Sequence, residues 1–555
     1  MRLSIVILAA FALLASGCAG ARRGELWADL GDLNRPVTTR SAEAQELFDQ
    51  GLTWVYAFNH DEAIRSFQAA TRIDPDCAMA WWGIAFANGP HINNPEMDAE
   101  QIAEAYAAMR RAEELAPSAR PVEAALIRAI SKRYAKDGGN REKLNQDFAD
   151  AMREVWRQFP DDVDVATLYA DSLMNLQPWD LWTHDGQPKK AATEIVAILE
   201  DVLKKDPNHA GANHLYIHAV EASPFPERAN AAAERLRNWA PLAGHLVHMP
   251  SHIDVQTGRW AMAADQNAKA IAADERYRRV AEPPRFYTVY MLHNRHFLSF
   301  ASMMEGRSKV AVDAARGMIA SIPAEILAGK PALIDPYMAI PYEALMRFGR
   351  WDEVLAEPAP DSRLVITTCM WHFARGVAYA AKGDVAAAEA EHQRFNEARK
   401  RVPAGAMMAI NPAEKVLDIA DLMLRGETEF RRGEIDKAVA SLTKAIEIED
   451  SLRYMEPPDW VQPVRHTLGA VLTSAGRWAE AEKVYEADLQ VWPENGWSLH
   501  GLAVCLKKRG APEAAAVQAR FEKAWARADV NIDSSCLCIP GHACAADTAE
   551  AVAAK

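Results

Sequence analysis

Along this chain, two helix-period apolar patterns joined by a short polar turn recur at steps of about 34 residues. A chain patterned this way grows by stacking rather than by closing around one core. Ala44 to Asp76 reads AQELFDQGLTWVYAFNHDEAIRSFQAATRIDPD: Gly51, Ala63 and Ala70 are small where two helices would touch, Phe67 fills the gap, and Pro75 ends the second helix. The next unit starts at Cys77 with CAMAWWGIAFANG and sets Trp81 and Ile84 in the corresponding places. Gly469, Ala481, Tyr485 and Pro493 repeat the arrangement, Trp497 with Gly501 begins another unit, and Gly426, Ala438, Leu442 and Ala445 supply a further one. Between these ends the periodicity predicts helix pairs starting near residues 121, 163, 211, 244, 292, 333 and 369, about a dozen in all, with longer connections such as 177–190 interrupting the period.

These residues, in this order and spacing, resemble the tetratricopeptide repeat. The resemblance implies an all-α, tetratricopeptide-like α-solenoid of stacked antiparallel helix pairs, with a concave groove lined by the first helix of each pair. In the family that groove binds a peptide or another protein. Composition agrees, since Ala, Leu, Glu, Lys and Arg dominate the periodic windows and few segments alternate as strands do. Pairs that touch only their neighbours predict an elongated shape. The organisation read from the sequence is a signal peptide over 1–17, a linker over 18–40, repeats over 41–160, a histidine-rich central set over 161–330, further repeats over 331–530, and a cysteine-containing tail over 531–555.

The opening Met1-Arg2, the apolar stretch from Leu3 to Leu14 and Ala15-Ser16-Gly17-Cys18 have the order of an export signal. The last four residues resemble a bacterial lipobox, which implies cleavage after residue 17 and lipid on Cys18. A transmembrane anchor is the competing reading, but the apolar run is short for a bilayer span. Ala19, rather than aspartate, follows Cys18; by resemblance to enterobacterial lipoproteins, this points to an outer-membrane anchor facing the periplasm. Loss of Arg2 with the signal takes the formal net charge from −14 to −15. That acidity, without any long basic run, argues against nucleic acid as a partner.

After Val530 the pattern stops, and Cys536, Cys538, His542 and Cys544 fall within nine residues. A disulfide closing the tail suits an oxidising compartment; a soft-metal site is the alternative. Cys77, Cys369 and Cys505 sit in apolar helical contexts and read as buried thiols.

The histidines are the sharpest signal. His214 and His218 occur in NHLYIHAVEA, His245, His248 and His252 in GHLVHMPSHID, and His293 and His296 in LHNRHF, at spacings that share one helix side. His214 to His248 and His218 to His252 are both 34 residues, one repeat; His245 to His293 and His248 to His296 are both 48, one repeat plus an insertion of 14. All seven fall where tetratricopeptide proteins face their groove. Imidazoles on packed helices can close around a transition metal, with Cu, Zn or Fe as candidates. Asp171 and His91 are additional candidates, and Glu221 and Asp254 are candidate carboxylate partners. The alternatives are histidines that bind an acidic peptide in the groove, satisfy helix-to-helix hydrogen bonds, or form ordinary polar surface. Pro250, between His248 and His252, must kink or restart its helix. Tyr287 and Tyr290 edge the same face, and His60 reads as a cap in the turn before the second helix. No Gly-rich phosphate loop, G-x-S-x-G or H-E-x-x-H is present.

Two functions remain open at this point: a periplasm-facing lipoprotein with a transition-metal site, acting as a metal-dependent oxidoreductase or hydrolase, or a non-catalytic scaffold for an envelope protein.

Overall fold

The computed structural model describes residues 26–281 and 285–539. The signal segment with Cys18, and His542 and Cys544, lie outside the described residues. Among the described residues twelve antiparallel helix pairs follow one another, from Ala42–Tyr56 with His60–Ile73 to Gly496–Arg509 with Ala514–Ala524. The only strands among the described residues are the two-residue partners Met407–Met408 and Asn411–Pro412. No described helix is long and apolar enough to cross a membrane.

The small residues stand where the pattern requires them. A Cβ on Gly51 or on Gly83 would come within 2.5 to 2.6 Å of the Phe67 ring, so one aromatic wedge fixes three helices. Tyr485 does the same against Gly469 and Gly501. Turn chemistry ends the helices: the side chain of Asn59 caps His60–Ile73 by accepting from the Glu62 amide, so Asn59, and not His60, is the cap.

The expected elongated shape is not what forms. Each half of the stack curls until distant pairs meet. Arg35 ties the chain start to Asp162 and Asp164, Tyr56 donates to Asp164, and Tyr277 donates to Glu62. In the other half Trp260 donates to the Pro493 carbonyl, Trp497 to the Met303 carbonyl, and Arg527 pairs with Asp265. Residues 26–40, expected as linker, are therefore pinned: Leu30 and Val37 are buried. The curl leaves two apolar cores, one over Leu30–Met291 and one over Val255–Ile539, which meet at the central helices.

Candidate metal centre

The histidine helices occupy that junction. Ala210–Val220 carries His214 and His218; Gly244–His248 and Pro250–Gln256 carry His245, His248 and His252; Thr288–Met304 carries His293 and His296. Pro250 restarts its helix as the sequence requires, and the shared face survives: His248 and His252 still bring their Nε2 atoms to 2.7 Å.

Six imidazoles form two triads. His214 Nε2 lies 3.1 Å from His218 Nε2 and 3.2 Å from His245 Nε2. His248 Nε2 lies 2.7 Å from His252 Nε2 and 3.2 Å from His293 Nε2. A tetrahedral ion with bonds of about 2.0 Å to imidazole sets its nitrogens roughly 3.3 Å apart, a spacing matched by three of these four separations, while His248–His252 is shorter. The triads adjoin: the His218 and His252 rings are 5.5 Å apart, and those of His245 and His248 are 5.7 Å apart.

The second triad is the first moved on by one repeat. Each takes two histidines four apart, on one helix in the first triad and across the Pro250 restart in the second, and a third from the first helix of the next pair. The series stops because the neighbours break it. One repeat later the paired positions hold His296 and Phe300, and one repeat earlier they hold Thr167 and Asp171. His296 thus stands outside both triads, its Nε2 buried without a partner and its ring edge-on to Tyr337. Gly211 occupies the site corresponding to His245 and His293, and a Cβ there would meet the Tyr56 ring at 2.5 Å.

In four of the six rings the opposite nitrogen has a partner, which fixes Nε2 as the donor there, whereas His245 Nδ1 is buried without one. His214 Nδ1 donates to the Tyr56 carbonyl at 2.6 Å, His218 Nδ1 to Glu221 Oε1 at 2.9 Å, and His248 Nδ1 to Asn267 Oδ1 at 2.7 Å. His252 Nδ1 lies 2.5 Å from Glu221 Oε2 and 3.1 Å from Glu456 Oε2. One carboxylate, 1% exposed, therefore serves a ligand of each triad. Asp254, the other carboxylate expected here, is instead committed to Arg237 and Arg259.

Burial and the neighbouring imidazoles hold the pKa values of His214, His245, His248 and His293 well below the usual histidine value. Burial also lowers that of His218, against the pull of Glu221. These five rings are neutral lone-pair donors at pH 7. For His252 burial again lowers the value, but Glu221 and Glu456 more than reverse it and push it to about 10. The short contact to His248 is then an N–H donated to a lone pair, and a metal ion would have to displace that proton.

Aromatic rings wall the triads. Phe58 lies 4.4 Å from His214 and 5.4 Å from His245; Phe297 lies 5.1 Å from His248 and 5.2 Å from His252. Phe58 has φ +55°, a left-handed conformation that is strained for a bulky residue and turns its ring onto the imidazoles. Tyr290 packs at a tilt with its ring 4.4 Å from that of His245, and the Tyr287 hydroxyl accepts from the His245 amide. His91 sits in a turn closed by a bridge to Asn94; it packs on His60 and Phe58, outside both triads. Asp171 bonds Asn175 and faces a small cavity beside His214. Sequence reasoning missed Phe58, Asn267, Glu456 and the Tyr56 carbonyl; only a non-glycine residue in a tight turn hinted at the first.

A cavity of about 500 Å³ reaches His218 and Glu221, walled by the connection 177–190 and by residues 449–465. Trp179, Trp182, Tyr454, Trp460 and Trp492 line it, and the Trp179 ring stands edge-on to His218 at 5.1 Å.

No family model matches the chain, and no curated protein matches it by sequence. Among solved structures it is similar to the APC/C hetero-tetramer Cut9-Hcn1, at 12% identity over 88% of this chain and 74% of that one with a TM-score of 0.30. It is also similar to the human IFIT1 dimer with m7Gppp-AAAA, at 14% identity, 88% and 90% coverage and a TM-score of 0.33. Yeast Tom70 aligns at 12% identity, 88% and 92% coverage and a TM-score of 0.29. The helix pairs described above make the chain tetratricopeptide-like in fold.

Proposed function

We propose that this protein is an exported, lipid-anchored oxidoreductase with a dinuclear copper centre in the His214–His218–His245 and His248–His252–His293 triads. The observation that carries this reading is the convergence of six Nε2 atoms in two adjoining sets, with Nδ1 acceptors turning three of the rings inward and Glu221 pairing with a fourth. Purely imidazole donors do not suit magnesium or calcium, and copper heads the affinity order among the remaining ions. Glu221, 2.5 Å from His252 Nδ1 and 2.9 Å from His218 Nδ1, adds a buried carboxylate at the seam between the two triads. Two copper ions held by these six histidines would supply the electron transfer to dioxygen. Two substrate oxidations, each releasing two electrons and two protons, balance reduction of one dioxygen to two waters. The substrate is a ring-bearing organic reductant that the indoles beside His218 would hold.

Export and the lipid on Cys18 rest on residues 1–18, and the disulfide between Cys536 and Cys538 suits an oxidising compartment. The second reading is a scaffold: a tetratricopeptide-like solenoid supports a protein-interaction role, and the long connections around the cavity would then grip a peptide. Metal content separates the two. Protein purified without a histidine tag should retain two copper ions per chain, and His248→Ala should retain one. Failure to hold copper, zinc, iron or nickel stoichiometrically removes the enzyme and leaves the scaffold.

A further inference from the structure

Away from the histidines, residues 534–539 turn back onto the C-terminal helix pairs. Cys536 and Cys538 are each 2% exposed and joined as a disulfide. Ser535 Oγ donates to the His466 carbonyl, and Arg431 donates to the Cys538 carbonyl, so the loop is fixed at both ends. Helix Ala413–Arg431 aims Glu427 at the same spot. Glu427 is 2% exposed, its Oε2 has no hydrogen-bond partner, and a carboxylate oxygen lies with both sulfurs inside a 4.8 Å group. A buried carboxyl oxygen left unpaired is a cost that packing alone does not explain. The small cavity lined by Cys538 and Glu427 is lined also by the thioether residues Met346 and Met423. Sulfur donors in apolar surroundings select soft ions.

The geometry points to a second metal site, separate from the histidine centre, in which reduced Cys536 and Cys538 together with Glu427 bind one soft monovalent cation of the copper(I) type. The site opens when a dithiol reductant gives two electrons and two protons: the S–S bond breaks into two thiols, and the reductant becomes a disulfide. Each thiol passes its proton to water as the cation binds. Glu427 gives up its proton likewise, so two thiolates, one carboxylate and one monovalent cation leave two negative charges, with the Arg431 guanidinium beside them. Exchange with a second disulfide, which takes the two electrons, takes two protons from water and leaves as two thiols, re-forms the S–S bond and expels the cation, so occupancy follows the redox state.

The test uses purified full-length protein, either oxidised or reduced with a phosphine and desalted, and titrates copper(I) against a chromogenic copper(I) chelator. The reduced chain should hold one equivalent more than the oxidised chain. That equivalent should vanish in a Cys536→Ser, Cys538→Ser double variant and weaken at least about tenfold in Glu427→Gln. In the wild type it should shield both cysteines from alkylation, as read by peptide mass spectrometry. An unchanged copper count on reduction, an extra equivalent that persists in the double variant, or alkylation that proceeds at the same rate with copper present overturns the proposal.

Discussion

Replacing Glu221 by glutamine tests the two-triad geometry directly, because this side chain faces His218 of one triad at 2.9 Å and His252 of the other at 2.5 Å. A glutamine amide has one oxygen, so it can accept from only one of the two Nδ1–H groups and presents its own N–H to the other. His252 has a substitute acceptor in Glu456 at 3.1 Å; His218 has none. The loss should therefore fall unequally. Outer-sphere acceptors are worth about 10- to 100-fold in metal affinity, or roughly 1.4 to 2.7 kcal/mol. We expect that range for the His214–His218–His245 site and less than about tenfold for the other. The assay is chelator competition in two backgrounds, His248→Ala to isolate the first site and His214→Ala to isolate the second, each with and without Glu221→Gln. Equal affinities in both backgrounds, or a larger loss at the His248 site, would refute the reasoning.

Three further outcomes are expected. Glu343, buried near Asp459, has a pKa raised to about 8 first by burial and then by that carboxylate. The folded state thus keeps a proton that the unfolded state releases, so stability present below about pH 4.5 is lost as pH rises to about 8; Glu343→Gln should flatten this slope and gain on the order of 1 to 3 kcal/mol at pH 9 in urea melts. Gly211→Ala drives a methyl group into the Tyr56 ring and should cost about 1 to 3 kcal/mol. Because the Tyr56 carbonyl orients His214, that variant should also weaken the first metal site while sparing the second, and equal affinities there would count against the assigned role of Tyr56. Cys18→Ala should leave the signal segment uncleaved and the protein without lipid, read by intact-mass analysis; normal processing would remove the lipoprotein reading.

Much of this was written in local pattern. The spacing of Gly51, Ala63, Phe67 and Pro75 encodes a helix pair because small residues, a wedge and a stop act over a few turns, and the 34-residue offset from His214 to His248 encodes a repeated ligand position because it equals one step of the stack. Such features depend on periods along the chain, and a sequence carries periods openly. The grouping of the histidines did not follow from offsets alone. That His245 joins His214 and His218, while His296 joins nothing, depends on which neighbouring helix supplies the third ring and on Phe300 standing where another imidazole would be needed. The partners of Glu221 and Asp254 were equally open, since each could reach either a histidine or an arginine until the helices were placed. The curl that brings Tyr56 to His214 across 158 residues, and Glu456 to His252, was decided only in three dimensions. Small rotations between successive pairs accumulate over a half-stack, and no local stretch of sequence specifies their sum.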